Sequence, residues 1–388
     1  MSHPPAMIWL LDKADPPVES FIDGMLADAL PKTARIRVIL ITSRHRAGRR
    51  RPYRYGRAIC IPTLLPRRHV ARFFNLWVAA RMLQALQGRL AHQQRRWALF
   101  VRNEPVFLAA AVWARQARAS VVFQQSFPHE RFAPNPVKRF VARWILWACR
   151  GGVDGLVAVS PLGLERLEKA FPNAKQGTVI PLLAPQVEGV SGDWLPNRHR
   201  PCECVYIGAH DPARRLDVVL AGVGQAIDRG VELRVTLIGG QPRDCERLRR
   251  QPGVAALEAA GHVRFLPPMP RHDLLTRLSG FDVGLSLIPP TAVYREASPT
   301  KLTEYLGAGL AVLASAGIPL QSQFVRRAGA GELVAFEPGA IAEGLACLAQ
   351  EPAATHRQRR EAGRAFAMQQ LRYQNYGDGL SRWLDRPV

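Results

Sequence analysis

The chain has 388 residues, 53 Lys and Arg against 31 Asp and Glu, and a formal net charge of +22. This length supports two to three domains, each with its own core. Composition excludes a spanning helix, since no stretch approaches the ~18 to 20 uninterrupted apolar residues one requires. It also excludes a cysteine metal site or disulfide framework, because Cys60, Cys149, Cys202, Cys204, Cys245 and Cys347 are scattered without ligand spacing.

In chain order, the N-terminal half reads as short apolar strands at Ile8–Leu11, Arg37–Thr42, Trp97–Val101, Val121–Phe123 and Leu156–Val159, separated by helical stretches. Charge in this half is lopsided. From Ala29 to Asn103 there is no Asp or Glu, while Lys and Arg occur eighteen times, with a peak from Arg44 to Arg57. Such a surface favours an anionic bilayer by about 1 kcal/mol per basic residue close to it. Nucleic acid, tracked by Arg and stacked by Tyr53 and Tyr55, is the lesser reading. A solvated Arg-rich loop stays open beside both. The segments Val70–Leu83 and Val137–Trp147 set basic residues beside broad apolar helices, which suit either an interface plane or a core.

Residues 183–201 lack apolar period and carry several breakers, so a domain boundary is expected there. From Val205 to Phe336 apolar runs again alternate with helices, at 272–278 and 318–327 among others. The fold class is therefore α/β, with two Rossmann-like doubly wound domains facing a central cleft. The expected division is 1–185, a linker at 186–201, a second domain at 202–356, and a C-terminal helix from 357 to 388 packing back on the first. Cys202-Glu203-Cys204 is one alternation of a strand. With no basic leader and no cleavage site at the N-terminus, a cytoplasmic protein is expected, touching the inner membrane face.

The most informative block is Arg295-Glu296-Ala297-Ser298-Pro299-Thr300-Lys301-Leu302-Thr303-Glu304-Tyr305, followed by the apolar run Leu310–Ala314. Pro299 suits the first turn of a helix, with Ser298 as its N-cap and a stop at Gly307 or Gly309. The N–H groups at Thr300 to Leu302, the helix dipole and the hydroxyls of Ser298 and Thr300 would then form an anion site suited to a diphosphate. Glu296 before the helix and Glu304 inside it are acceptors for sugar hydroxyls. Together they suggest a nucleotide sugar: ribose on Glu304 and the transferred sugar on Glu296. An ordinary capped helix with a solvated Glu304 is the plain alternative.

This block, Glu-x7-Glu with Pro-Thr-Lys-Leu and Gly-Leu-Ala-Val-Leu-Ala-Ser, resembles the donor-site signature of retaining GT-B glycosyltransferases, the family-four (group 1) type. Val205-Tyr206-Ile207-Gly208, Leu237-Ile238-Gly239-Gly240 and Phe281–Pro289 resemble successive strands of that donor domain, and the likeness spans about residues 95 to 370. It implies that Gly208, Arg214, Ser298, Thr300, Lys301, Leu302 and Glu304 hold the nucleotide, and that Glu296 and Arg214 act on the sugar and the leaving diphosphate. Ala209 stands where relatives usually carry Arg, and Arg214 where they carry Lys, so Arg215, Lys301 or His210 is needed as the second cation. His129 sits near the position of a family histidine beside the sugar, with a loop histidine paired to Glu130 as its plain reading.

The resemblance implies transfer of a sugar from a nucleoside diphosphate to a glycan or lipid-linked acceptor with retention, in surface polysaccharide or lipopolysaccharide synthesis. No metal cofactor is expected, since the chain has no Asp-x-Asp pattern. Two other classes stay open: a sugar-nucleotide epimerase or phosphorylase on the same fold, and a non-catalytic protein binding lipid or an anionic polymer.

Overall fold

The computed structural model describes residues 6–14, 20–30, 37–43, 51–64, 71–92, 97–133, 135–184 and 201–377. The expected linker and most of the basic peak, Arg44 to Arg50, lie outside them. The chain divides into two compact units, Met1–Leu182 with Tyr373–Val388, and Leu183–Arg372.

The first unit carries β1 (Ala6–Ala14), α1 (Ser20–Gly24), a wider helical turn (Met25–Ala29), β2 (Arg37–Ser43), β3 (Tyr53–Tyr55), β4 (Ala58–Leu64), α2 (Ala71–His92), β5 (Trp97–Arg102), α3 (Pro105–Ala114) and β6 (Ala119–Gln125). It continues with α4 (His129–Phe132), α5 (Pro136–Cys149), β7 (Gly155–Ala158), α6 (Pro161–Ala170) and β8 (Gln176–Val179). The sheet order is β3-β4-β2-β1-β5-β6-β7-β8, parallel except for β3. The fully buried pattern of β5 explains its unbroken apolar sequence, as expected of a parallel strand covered on both faces. One face of the sheet is covered by α2, α3, α5 and α6 through Leu83, Leu108, Leu146 and Leu167. On the other, Trp9 meets Phe21 and Phe100 edge to face.

The second unit carries β9 (Cys202–Ile207), a 3₁₀ turn (Pro212–Arg214), α7 (Leu216–Asp228), β10 (Leu233–Ile238), α8 (Pro242–Arg249), α9 (Val254–Ala259), β11 (Val263–Leu266), α10 (Arg271–Leu278), β12 (Val283–Ser286) and α11 (Ala292–Arg295). It ends with α12 (Thr300–Gly307), β13 (Ala311–Ser315), α13 (Pro319–Ala328), β14 (Gly331–Val334), α14 (Pro338–Gln350) and α15 (Ala353–Gln370). All six strands are parallel in the order β11-β10-β9-β12-β13-β14. Counted within the unit this is 3-2-1-4-5-6, the doubly wound order whose topological switch lies between β9 and β12.

The C-terminal segment differs from expectation. Helix α15 stays in the second unit, where the buried Arg360 donates to Gly309 O (2.7 Å), Phe281 O (3.0 Å) and Asp282 Oδ1 (3.3 Å). Only the part from Tyr373 belongs to the first unit, with the Tyr373 ring edge to face against Phe21. A side chain at Gly24 would collide with Tyr373, which explains glycine there. The short β3–β4 hairpin inside the basic segment was not expected. Its Tyr55 hydroxyl donates to Asp23 at 2.7 Å.

Candidate functional site: the mouth of helix α12

The second unit builds its site at the switch between β9 and β12. These strands pair only through Val283 with Cys204 and Gly284 with Val205, whereas β9 pairs with β10 along six residues. Beyond Gly284 the strands part, and the buried Tyr305 of α12 fills the gap. Its hydroxyl accepts the Ile207 N–H at 2.9 Å and faces Leu285 O at 3.5 Å. That arrangement replaces the missing ladder bond on β9. It also requires glycine at 284, where a Cβ would lie 2.3 Å from the Tyr305 ring. A second tie fixes the same helix: the Thr303 hydroxyl accepts Ala184 N–H at 2.8 Å. The N-terminus of α12 is thereby held at the carboxyl end of β9.

Four predicted donor residues converge there. Gly208 follows β9 with φ +122, a conformation that L side chains rarely adopt, and a Cβ on it would lie 3.5 Å from Lys301 Nζ. Lys301 lays its ammonium 3.8 Å from the Tyr206 ring centroid. Burial, then repulsion from Arg214, lowers its pKa to about 7. Arg214 ends the 3₁₀ turn with its Nε 3.6 Å from Asp211 Oδ2 and its guanidinium over Tyr294 at 5.1 Å. One turn into α12, Glu304 is 11% exposed and meets Arg271 at 2.8 Å. Burial raises its pKa, opposed by Arg271 and Lys301. Two mutually repelling cations beside a helix N-terminus set up a local positive potential.

The structure corrects the capping expectation. Helix α12 begins at Thr300 with Pro299 in the cap position and no side-chain cap, and Ser298 is buried one residue earlier. Leu302 N–H is already spent on Pro299 O at 3.2 Å, so the helix offers the N–H groups of Thr300 and Lys301. Glu296 caps α11 in the loop leading to this helix and is partly exposed.

Three residues are candidates for the cation that Ala209 does not supply, and of these Lys301 lies beside Gly208. Arg215 takes a left-handed backbone (φ 49) and binds Asp217 through Nε and Nη2. His210 is buried beside Cys245 (3.7 Å) with its Nε2 unpartnered, and burial lowers its pKa to about 4, so it is neutral at pH 7. His129 lies in the first unit at the start of α4, its ring edge to face with Phe127. The neighbouring Glu130 carboxylate is bound by Gln125 and Arg166.

Sequence reasoning did not assign Tyr206, Tyr294, Tyr305 or Arg271 a role. Among the described residues no group of three His, Cys, Asp or Glu is placed to hold a metal ion, and no helix is long and apolar enough to cross a membrane.

The fold and this site define a GT-B glycosyltransferase architecture, and comparisons with known proteins agree. Residues 196–366, which contain the whole site, match the family of glycosyl transferases group 1. The match lies within the second unit, which thus carries a glycosyl transferases group 1 domain. A search of curated proteins finds no sequence match. Among solved structures, a sucrose-phosphate synthase from Thermosynechococcus elongatus is similar over 97% of this chain and 98% of its own, with TM-score 0.67 and 17% identity. An alpha,alpha-trehalose-phosphate synthase (UDP-forming) from Burkholderia xenovorans, in complex with glucose-6-phosphate, covers 98% and 100% with TM-score 0.67 and 12% identity. A trehalose-6-phosphate structure from E. coli, bound with UDP-2-fluoro glucose, covers 99% of each chain with TM-score 0.66 and 13% identity.

Proposed function

We propose that the chain transfers a sugar from a nucleoside-diphosphate sugar to a glycan or lipid-linked glycan acceptor with retention of configuration, in surface polysaccharide or lipopolysaccharide synthesis. The observation that carries the donor half is Lys301 Nζ beside Gly208 at the α12 terminus, within electrostatic reach of Arg214. These cations and the first N–H groups of α12 hold the diphosphate, and Glu304 takes the ribose when Arg271 yields it. Glu296 orients the transferred sugar. The protein's contribution is positioning together with stabilisation of the charge that develops on the departing diphosphate, and no metal is required for it.

A second reading keeps the donor and changes the acceptor to a small sugar phosphate. It is supported by the glucose-6-phosphate and UDP-2-fluoro glucose in two structures of the same fold. Thermal-shift titration with UDP, GDP, ADP and CMP and their sugar conjugates tests the donor half. One diphosphate should raise Tm by a few degrees in the presence of EDTA, and the shift should vanish in Lys301→Ala. No shift with any nucleotide would overturn the reading. Glu296→Ala should bind the nucleotide and lose about 10² to 10³ in turnover. Assays with sugar phosphates and with lipid-linked glycans as acceptors separate the two readings.

A further inference from the structure

One layer of the first unit presents an apolar face outward. Helix α3 packs between α2 and α5 on one side of the sheet, and all three bury their inner residues in the same core. On the outer side of α5, Val137, Phe140, Trp144 and Trp147 are 66%, 70%, 59% and 58% exposed. Their spacing of three to four residues places them on a single stripe. Trp113 of α3, 63% exposed, and Trp77 of α2, 55% exposed, extend the patch. Four of the chain's eight tryptophans thus stand more than half exposed on one layer, the reverse of their usual burial.

The charge of the layer decides what it fits. Helices α2, α3 and α5 contain no Asp or Glu and carry six Lys and Arg, and Arg150, just past α5, lies over the Trp147 ring at 5.1 Å. Tryptophan beside basic side chains is the composition of a surface that sits at lipid headgroup level: the rings enter the acyl boundary and the cations meet lipid phosphates.

We propose that the α2–α3–α5 layer docks on an anionic lipid bilayer, with Phe140, Trp144 and Trp147 inserted. This deepens the lipid-linked acceptor reading. Its test uses no donor and no acceptor, so either can fail without the other.

The test is flotation of the full chain with phosphatidylcholine vesicles, with and without phosphatidylglycerol. The chain should float with the mixed vesicles and bind pure phosphatidylcholine at least about tenfold more weakly. Trp144→Ser/Trp147→Ser and Arg143→Glu should each weaken mixed-vesicle binding about tenfold or more, with unchanged circular dichroism and melting because these side chains are exposed. Brominated lipids should also quench wild-type tryptophan fluorescence, which keeps the test independent of the variants. Absence of flotation, equal flotation of the variants or absence of quenching overturns the proposal. So does a dimer in sedimentation, or binding to a single-stranded oligonucleotide, that needs the same tryptophans while vesicles are ignored.

Discussion

The Tyr305 hydroxyl accepts the Ile207 backbone N–H at 2.9 Å and thereby sets helix α12 against the end of β9, where the two halves of the second sheet diverge. Tyr305→Phe removes the acceptor and leaves a buried N–H unpaired, at a cost of about 1 to 3 kcal/mol in denaturant unfolding. The helix mouth should loosen as well, so nucleoside-diphosphate affinity should fall more than in an exposed control such as Arg277→Ala. A Tyr305→Phe protein of wild-type stability and affinity would remove the hydroxyl from the site's architecture.

The lowered pKa of Lys301 gives a pH dependence of defined sign. The folded ammonium loses its proton near pH 7, while the unfolded lysine keeps it to about 10.5. Between these values the unfolded chain binds more protons, so this group's contribution raises stability as pH increases from 7 to 10.5, and below 7 the cost of the buried charge is fully present. Donor binding needs the charged form. Calorimetric Kd for the bound nucleoside diphosphate should therefore weaken toward about tenfold per pH unit above 7, and Lys301→Arg should flatten the profile. A flat wild-type profile would exclude the lysine as the titrating cation.

How far the sequence reaches depends on how local the cause is. Pro299 and the residues after it announce α12 because first-turn chemistry is local, and the unbroken apolar runs of β1 and β5 announce buried parallel strands for the same reason. Tyr305 reads only as a helix residue, since its partner Ile207 is 98 positions away and the gap it fills exists only once β9 and β12 are paired. Ser298 looked like a cap because its type and place suit one. In the folded chain the cap position falls on Pro299, with no side-chain cap. The β3–β4 hairpin was hidden by the arginines around it, and α15 ran on into the tail because amphipathic spacing does not mark the break near Leu371.

Arg360 supplies a test of the second unit's framework away from the site. Its guanidinium is buried and satisfies two carbonyls and the Asp282 carboxylate, whose other oxygen accepts Glu203 N–H at 2.9 Å. Arg360→Met should cost roughly 3 to 5 kcal/mol in equilibrium unfolding, because it leaves a buried carboxylate without its counterion. The loss should appear in the unfolding midpoint, with nucleotide affinity preserved below it. A loss under about 1 kcal/mol would show that water reaches Asp282 and screens it.

Arg271 and Glu304 join α10 to α12 across the face where the ribose is proposed to lie, with the arginine half in solvent and the carboxylate nearly enclosed. Removing one partner leaves the enclosed carboxylate unpaired, so Arg271→Ala should destabilise the fold by about 1 to 3 kcal/mol. Glu304→Gln removes the need for the cation, and the double variant should be more stable than the sum of the single losses, with a coupling of about 0.5 to 3 kcal/mol. Binding separates the residues in the opposite way. Arg271→Ala frees the carboxylate and should preserve or tighten affinity for the nucleoside diphosphate. Glu304→Gln should weaken it, and a 2′,3′-dideoxy diphosphate should be insensitive to that change. If Glu304→Gln leaves ribonucleotide affinity unchanged, the carboxylate is a structural partner of Arg271, and the ribose must be held by another group near the α12 mouth.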